Sequence, residues 1–202
     1  MKAKRRVVLA TNNVGKIGEM QTLLAGLGME VLAQSAFDVP PVEETGQSFV
    51  ENAIIKARHA ARLTGLPAIA DDSGLQVDVL DGAPGIHSAR YAGPGATDKE
   101  NLELLIREVG AAGIFQPAAR FQCAMAFLRA ANDAMPLLSQ ASWHGNIVTL
   151  PRGNHGFGYD PVFFVPSHRC TSAELPPAVK NRISHRAQAM QKLLQVLTVE
   201  LA

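Results

Sequence analysis

Asp71 and Asp72 stand side by side, after the apolar run Pro67-Ala68-Ile69-Ala70 and before Ser73-Gly74. Adjacent carboxylates repel one another and resist desolvation, so a fold gains little from them unless a cation or a hydrogen-bond network intervenes. The chemistry this suits is a divalent-metal site in which one acid stays free to act as a base; the plainer alternative is a polar turn capped by aspartate. Ser73 and Gly74 are expected to turn the backbone away and keep the site open. Two more acids, Glu43 and Glu44, precede Gly46 and a helix start marked by Ser48 and Glu51. On that helix Asn52, Lys56 and His59 follow at spacings of four and three, so they share a face, and Lys56 would lie close to the acids before it.

Three other stretches carry groups suited to an anionic, flat ligand. Thr11-Asn12-Asn13-Val14-Gly15-Lys16 joins an apolar strand to an amphipathic segment with Ile17, Met20, Leu23, Leu24 and Leu27 at helical spacing. Such a junction turns backbone N–H groups and a positive helix end toward one point. It is not a Walker loop, since the glycine needed five residues before Gly15 is missing and Ile17 stands where Ser or Thr would hold magnesium. In the loop from Pro151 to Pro161, glycines flank Phe157 and Asp160 closes the turn, which suits either a base lying on Phe157 or a hairpin with Phe157 in the core. Lys180 precedes Ser184-His185-Arg186, where Ser184 reads as a helix cap and the next two side chains offer hydrogen-bond donors.

The elements that must position these groups are legible in the pattern. Arg6 to Ala10 and Glu30 to Ala33 read as strands, and Leu75 to Val79 alternates as a half-buried one. The helix after Ser48 buries Phe49, Val50, Ala53, Ile54, Ala57 and Ala61; a second, capped by Thr97 and Glu100, turns Leu102, Leu105, Ile106 and Val109 inward. Arg120 to Arg129 and Leu137 to Ile147 read as a pair of long antiparallel strands. Gly110 to Ala119 is a low-charge connector, expected to be a variable loop or a lobe boundary, while Pro176-Pro177 is expected to break a short turn begun at Thr171. Helices and strands alternate early and paired strands dominate the middle, so the fold class is α/β with a mixed sheet.

At 202 residues the chain is long enough for one sizeable core, and a single domain over 1–202 is expected. A net charge of +1 offers no global field for a nucleic-acid duplex, so an anionic partner must be held by a local cluster. Cys123 and Cys170 lie outside any metal-ligand spacing, and Cys123 reads as a small buried hydrophobe. The apolar run behind the basic residues Met1 to Arg6 is too short for a signal peptide, and no stretch approaches a membrane span, which points to a reducing cytoplasmic setting.

Taken together, Thr11 to Lys16, Glu43-Glu44-Thr45-Gly46, Ala70-Asp71-Asp72-Ser73-Gly74-Leu75, Pro84-Gly85 with Ser88-Ala89-Arg90-Tyr91, Phe157-Gly158-Tyr159-Asp160-Pro161 and Ser184-His185-Arg186 resemble the inosine triphosphatase family, in order from about Val7 to the last helix. The match is to its bacterial branch. The resemblance implies hydrolysis of ITP, dITP and XTP to the monophosphate and pyrophosphate, by a magnesium-using homodimer. Each subunit would be an elongated mixed sheet flanked by helices, in two lobes with the active-site cleft between them. Carried over position by position, Thr11, Asn12, Asn13, Val14, Gly15, Lys16 and Lys56 would hold phosphates, and Ser73 would touch substrate. Asp72 would be the base and a metal ligand, with Glu43 or Glu44 assisting the metal. Phe157, Gly158, Tyr159, Asp160, Lys180, His185 and Arg186 would hold the nucleoside. Asn12 departs from the family in replacing a glycine common in the first loop, and His87 in standing where an aromatic is frequent.

Two rival readings remain at this level. A haloacid-dehalogenase-like phosphatase also uses a strand-terminal Asp, but needs Asp-x-Asp and would release orthophosphate. A nucleotide-sensing module without catalysis would have little use for four acids beside two lysines.

Overall fold

The computed structural model describes residues 6–12, 17–18, 21 and 29–201. The expected contacts of Asn13, Val14, Gly15 and Lys16, and most of the helix expected after them, lie outside the described residues. Strand β1 (Arg6–Leu9) pairs in parallel with β2 (Glu30–Ala33), with Val7 opposite Val31, and in parallel with β3 (Ala68–Val77). With β4 (Ala118–Leu128), β5 (Leu137–Ile147), β6 (Phe163–Val165) and β7 (Cys170–Thr171) these form one seven-stranded sheet in the order β2-β1-β3-β4-β5-β6-β7. Strand β6 is antiparallel to both neighbours, so the sheet is mixed, as expected. Among the described residues, four helices with defined bounds flank it: α1 (Phe49–Thr64), α2 (Asp98–Ala111), α3 (Pro177–Ile183) and α4 (His185–Leu201). None of the described helices is long and apolar enough to cross a membrane.

The chain divides into two compact units, each discontinuous in sequence: residues 1–72, 123–141 and 186–202 in the first, 73–122 and 142–185 in the second. The first unit has two cores, and strand alternation sorts them. Val7, Leu9 and Ile69 pack with Met125, Phe127 and, from α4, Ala189, Met190, Leu193 and Leu197. Val8, Ala10, Ala68 and Ala70 pack with Ala126, Leu128 and, from α1, Ala53, Ala57, Ala60 and Ala61. A sheet covered on both faces needs apolar residues at consecutive positions, which is why these strands read as unbroken apolar runs. Small alanines on α1 let that helix approach closely. The second unit gathers Leu75, Val77, Phe121, Trp143, Ile147 and Phe163 with Leu105 and Val109 of α2. Cys123 is buried as a core residue, as expected.

Two expectations are corrected. Ser73 and Gly74 do not turn the chain: β3 runs unbroken through both, and the chain turns only at the 3-10 segment Asp78–Leu80. Asp71 and Asp72 therefore lie within a strand and not at its end. Gly110 to Ala119 falls inside the second unit, because the strands themselves pass from one unit to the other. The short turn capped by Thr171 and Glu174 ends at Glu174, before Pro176-Pro177, as expected, and Pro177 then opens α3; a proline is suited to a first helical turn, whose N–H has no partner to lose.

Candidate active site

The pleat decides what the adjacent acids do. Asp71 shares the Ile69 face of β3, the face covered by α4, and its Oδ2 lies 3.3 Å from Nε of Arg186, an α4 residue. Both are almost wholly buried. Asp72 shares the Ala68 and Ala70 face, covered by α1, where Nζ of Lys56 donates to its Oδ1 at 2.8 Å and Nδ2 of Asn52 to its Oδ2 at 3.3 Å. The two carboxylates thus meet different cations, and no shared ion between them is required.

Lys56 also donates to Oε1 of Glu44 at 2.9 Å, so one ammonium joins the loop before α1 to β3. Burial draws the pKa of Lys56 down, but the charges of Asp72, Asp71 and Glu44, with the hydrogen bond to Asp72, outweigh it and leave the pKa raised. Lys56 is therefore charged at neutral pH. The geometry of α1 follows from its start: Ser48 accepts from the Glu51 N–H at 3.2 Å, and the Glu51 carboxylate returns to the Gln47 N–H at 2.8 Å. That start, with a spacing of four, sets Asn52 and Lys56 on the face toward Asp72. His59, expected on the same face, bonds the Pro40 carbonyl oxygen at 3.0 Å. The Glu43 side chain is exposed, whereas that of Glu44 is half-buried.

In the second unit the centre is an acid held by donors. Asp160, 3% exposed, accepts from Lys180 Nζ at 2.7 Å, from Ser172 Oγ at 2.7 Å and from the Phe157 N–H at 2.9 Å. Gly156 has φ +80, and a Cβ there would stand 2.0 Å from Asp160 Oδ2, so only glycine allows this loop to close. The Lys180 ammonium also sits 4.9 Å from the centre of the Phe157 ring, a cation–π contact that helps hold the ring. Gly158 N–H donates to Asp98 Oδ2 at 2.9 Å. Tyr159 turns inward, its hydroxyl donating to the Ser88 carbonyl at 2.8 Å, so its ring belongs to the core. His185 is buried too, stacked on Phe121 with centroids 4.8 Å apart and the planes within 11°.

In the first unit the structure thus brings together Glu44, Lys56, Asp72 and, through Asp71, Arg186; in the second it brings together Phe157, Asp160 and Lys180. Thr11 and Asn12 follow β1, and Ser73 lies half-buried on β3. The sequence reading missed Asn52 as a partner of Asp72 and Ser172 as a partner of Asp160. Helical spacing placed Asn52 beside Lys56, but nothing in the pattern of Ser172 distinguishes it.

Among the described residues no three His, Cys, Asp or Glu side chains form a group that could hold a metal ion. Magnesium does not need one, since it is bound through one or two carboxylates, with water and substrate phosphate oxygens completing its shell. Asp72 and Glu44 fit that requirement, because both already engage a single cation, the Lys56 ammonium.

A mixed α/β sheet carrying a carboxylate and lysine cluster at mid-strand is the class that fold and site define. The model of the Ham1 family matches residues 7–196. The "dITP/XTP pyrophosphatase" of Vibrio parahaemolyticus is 54% identical over 98% of this chain and 99% of its own, and that of Escherichia coli O157:H7 is 54% identical over 96% and 98%. Among solved structures, a HAM1 protein from Coxiella burnetii superposes with a TM-score of 0.89 at 52% identity over 96% of this chain and 98% of its own. The Staphylococcus aureus Ham1 protein gives 0.85 at 38%, over 97% and 100%. The chain belongs to the Ham1 family, and the resemblance drawn from its motifs holds.

Proposed function

We propose that this protein hydrolyses dITP and XTP, and ITP with them, to the monophosphate and pyrophosphate, and so removes these nucleotides from the pool. It is an enzyme, a nucleoside-triphosphate pyrophosphatase, as its relatives are named. The observation that carries the reading is the partly buried Lys56 ammonium bound at once by Glu44 and Asp72. A cation held between two acids, on a face where Asp72 has a second donor, is suited to receive phosphate oxygens and hold a base in place.

In the step proposed, Asp72 accepts a proton from water as the water oxygen bonds to the α-phosphorus. The bond from that phosphorus to the oxygen bridging to the β-phosphorus breaks, and pyrophosphate leaves with the electron pair. Lys56 supplies charge to the phosphates, joined by Lys16 and the Thr11 to Gly15 loop. Magnesium, held by Asp72 with Glu44, and Glu43 in reserve, would add positive charge at the phosphates and acidify water. Phe157, the loop through Asp160, and Lys180 would hold the nucleoside. His185 and Arg186 would supply donors for the carbonyl at the sixth ring position. Adenine carries an amino group there, and each donor left unpaired costs about 1–3 kcal/mol, enough for roughly a hundredfold rejection from two.

The resemblance also supports a cytoplasmic homodimer, which sedimentation would reveal as a dimer of the 21.5 kDa chain. The deciding experiment incubates the protein with ITP, dITP, XTP, GTP and ATP, with and without magnesium, and assays pyrophosphate. Magnesium-dependent pyrophosphate from the first three is expected. Orthophosphate as the first product, or equal turnover of ATP and ITP, would overturn the reading.

A further inference from the structure

Asn52 has no exposed surface, although an amide carries two donors and two acceptor sites that burial must satisfy. Its Oδ1 accepts the Gly46 N–H at 2.8 Å, and its Nδ2 donates to Asp72 Oδ2 at 3.3 Å. The orientation of the amide is not arbitrary: a backbone N–H can face only the oxygen, which leaves the NH2 group toward the carboxylate. Gly46 has no room for a side chain, since a Cβ would stand 2.6 Å from Glu51 Cβ and 2.7 Å from Asn52 Oδ1. The loop is therefore drawn against α1 where the amide bridges it to β3. One turn later Lys56 makes the same connection with charge, from Glu44 to Asp72.

We propose that Asn52 is a positioning residue of the pyrophosphatase: its amide straps the loop that carries Glu44 to the Asp72 carboxylate, holding both in the one arrangement in which they act together. This rests on the reading of Asp72 as the base. Of the residues of this size, only asparagine offers an acceptor to Gly46 and a donor to Asp72 at once; aspartate would keep the first and set a second negative charge against Asp72.

The test separates the two halves of the amide. Asn52→Asp keeps the acceptor for Gly46, so its Gly46 amide should exchange with solvent at the parent rate, while kcat for dITP falls about a hundredfold, the loss expected of a misplaced base, and KM stays within about threefold. Asn52→Ala removes both groups, and Gly46 exchange should accelerate about tenfold or more. Parent-like kcat in Asn52→Asp, or a fall in kcat matched by a rise in KM, would overturn the role. So would rapid exchange of the Gly46 amide in the parent protein, a result that needs no variant to fold. Absence of pyrophosphate release from the parent, with Gly46 exchange still dependent on Asn52, would reject the activity and leave the strap standing.

Discussion

The two charged clusters are built on opposite plans. In the first unit a cation sits among acids: among the described residues Lys56 pairs with Glu44 and Asp72, and Arg186 with Asp71. In the second an acid sits among donors: Asp160 is balanced by Lys180 and further held by Ser172 and a backbone N–H. A cluster with several carboxylates attracts cations, whereas both Asp160 oxygens accept from donors of their own unit. The first arrangement is suited to chemistry on a charged group. The second is suited to holding a loop in shape, and it spends its buried charges on Phe157 and the glycines beside it.

The largest effect that would break this contrast lies at Asp72. Asp72→Asn should lower kcat by roughly a thousandfold or more while nucleotide affinity, read by calorimetry, stays near the parent value; near-normal turnover would show that the acidic cluster has no catalytic use. Next comes a pair of matched substitutions. Lys180→Met strips a 3%-exposed carboxylate of its cation and should cost about 3–5 kcal/mol, a fall in Tm of roughly 6–20 °C. Lys56→Met relieves a site that is partly open and should cost less in Tm but more in kcat. If the two exchanged these signatures, the assignment of chemistry to one unit and shape to the other would be wrong.

A smaller effect is expected at Gly156, where alanine meets Asp160 Oδ2 and an unfavourable φ of +80. Strain of about 1–3 kcal/mol should appear as a lower Tm and a raised KM, with kcat less affected. Smallest is an optical signature of the second unit, which contains both tyrosines of the chain, Tyr91 and Tyr159. Burial raises both pKa values, helped by the bonded Glu108 at Tyr91 and by Tyr91 and Asp98 at Tyr159. Groups whose folded pKa is raised contribute stability that is intact below the ordinary tyrosine value of about 10 and is lost as pH climbs from there toward the folded value. Phenolate absorbance should therefore be absent at pH 10 in the folded protein and appear with unfolding; a normal wave near 10 would show an open second-unit core. Lys56 carries the same sign, so the stability its own charge contributes to the first unit is likewise lost in alkali.

Periodicity and caps made most of the framework legible. The strands at Arg6–Leu9 and Glu30–Ala33, the helices after Ser48 and Thr97, and the two long central strands stand where the pattern put them, because apolar spacing and cap chemistry are local. The pattern also singled out Glu44, Lys56 and Asp72, and Phe157, Asp160 and Lys180, as residue types suited to a site. Tertiary structure decided which of them meet. Asp71 and Asp72 look like one site in the chain, yet a period of two sends them to opposite faces of β3, and only the packing of α1 and α4 says that Lys56 waits on one face and Arg186 on the other. Ser172 and Asn52 acquire their roles the same way: a hydroxyl or amide has no meaning in a sequence until folding removes water from it and leaves a particular carboxylate as its partner.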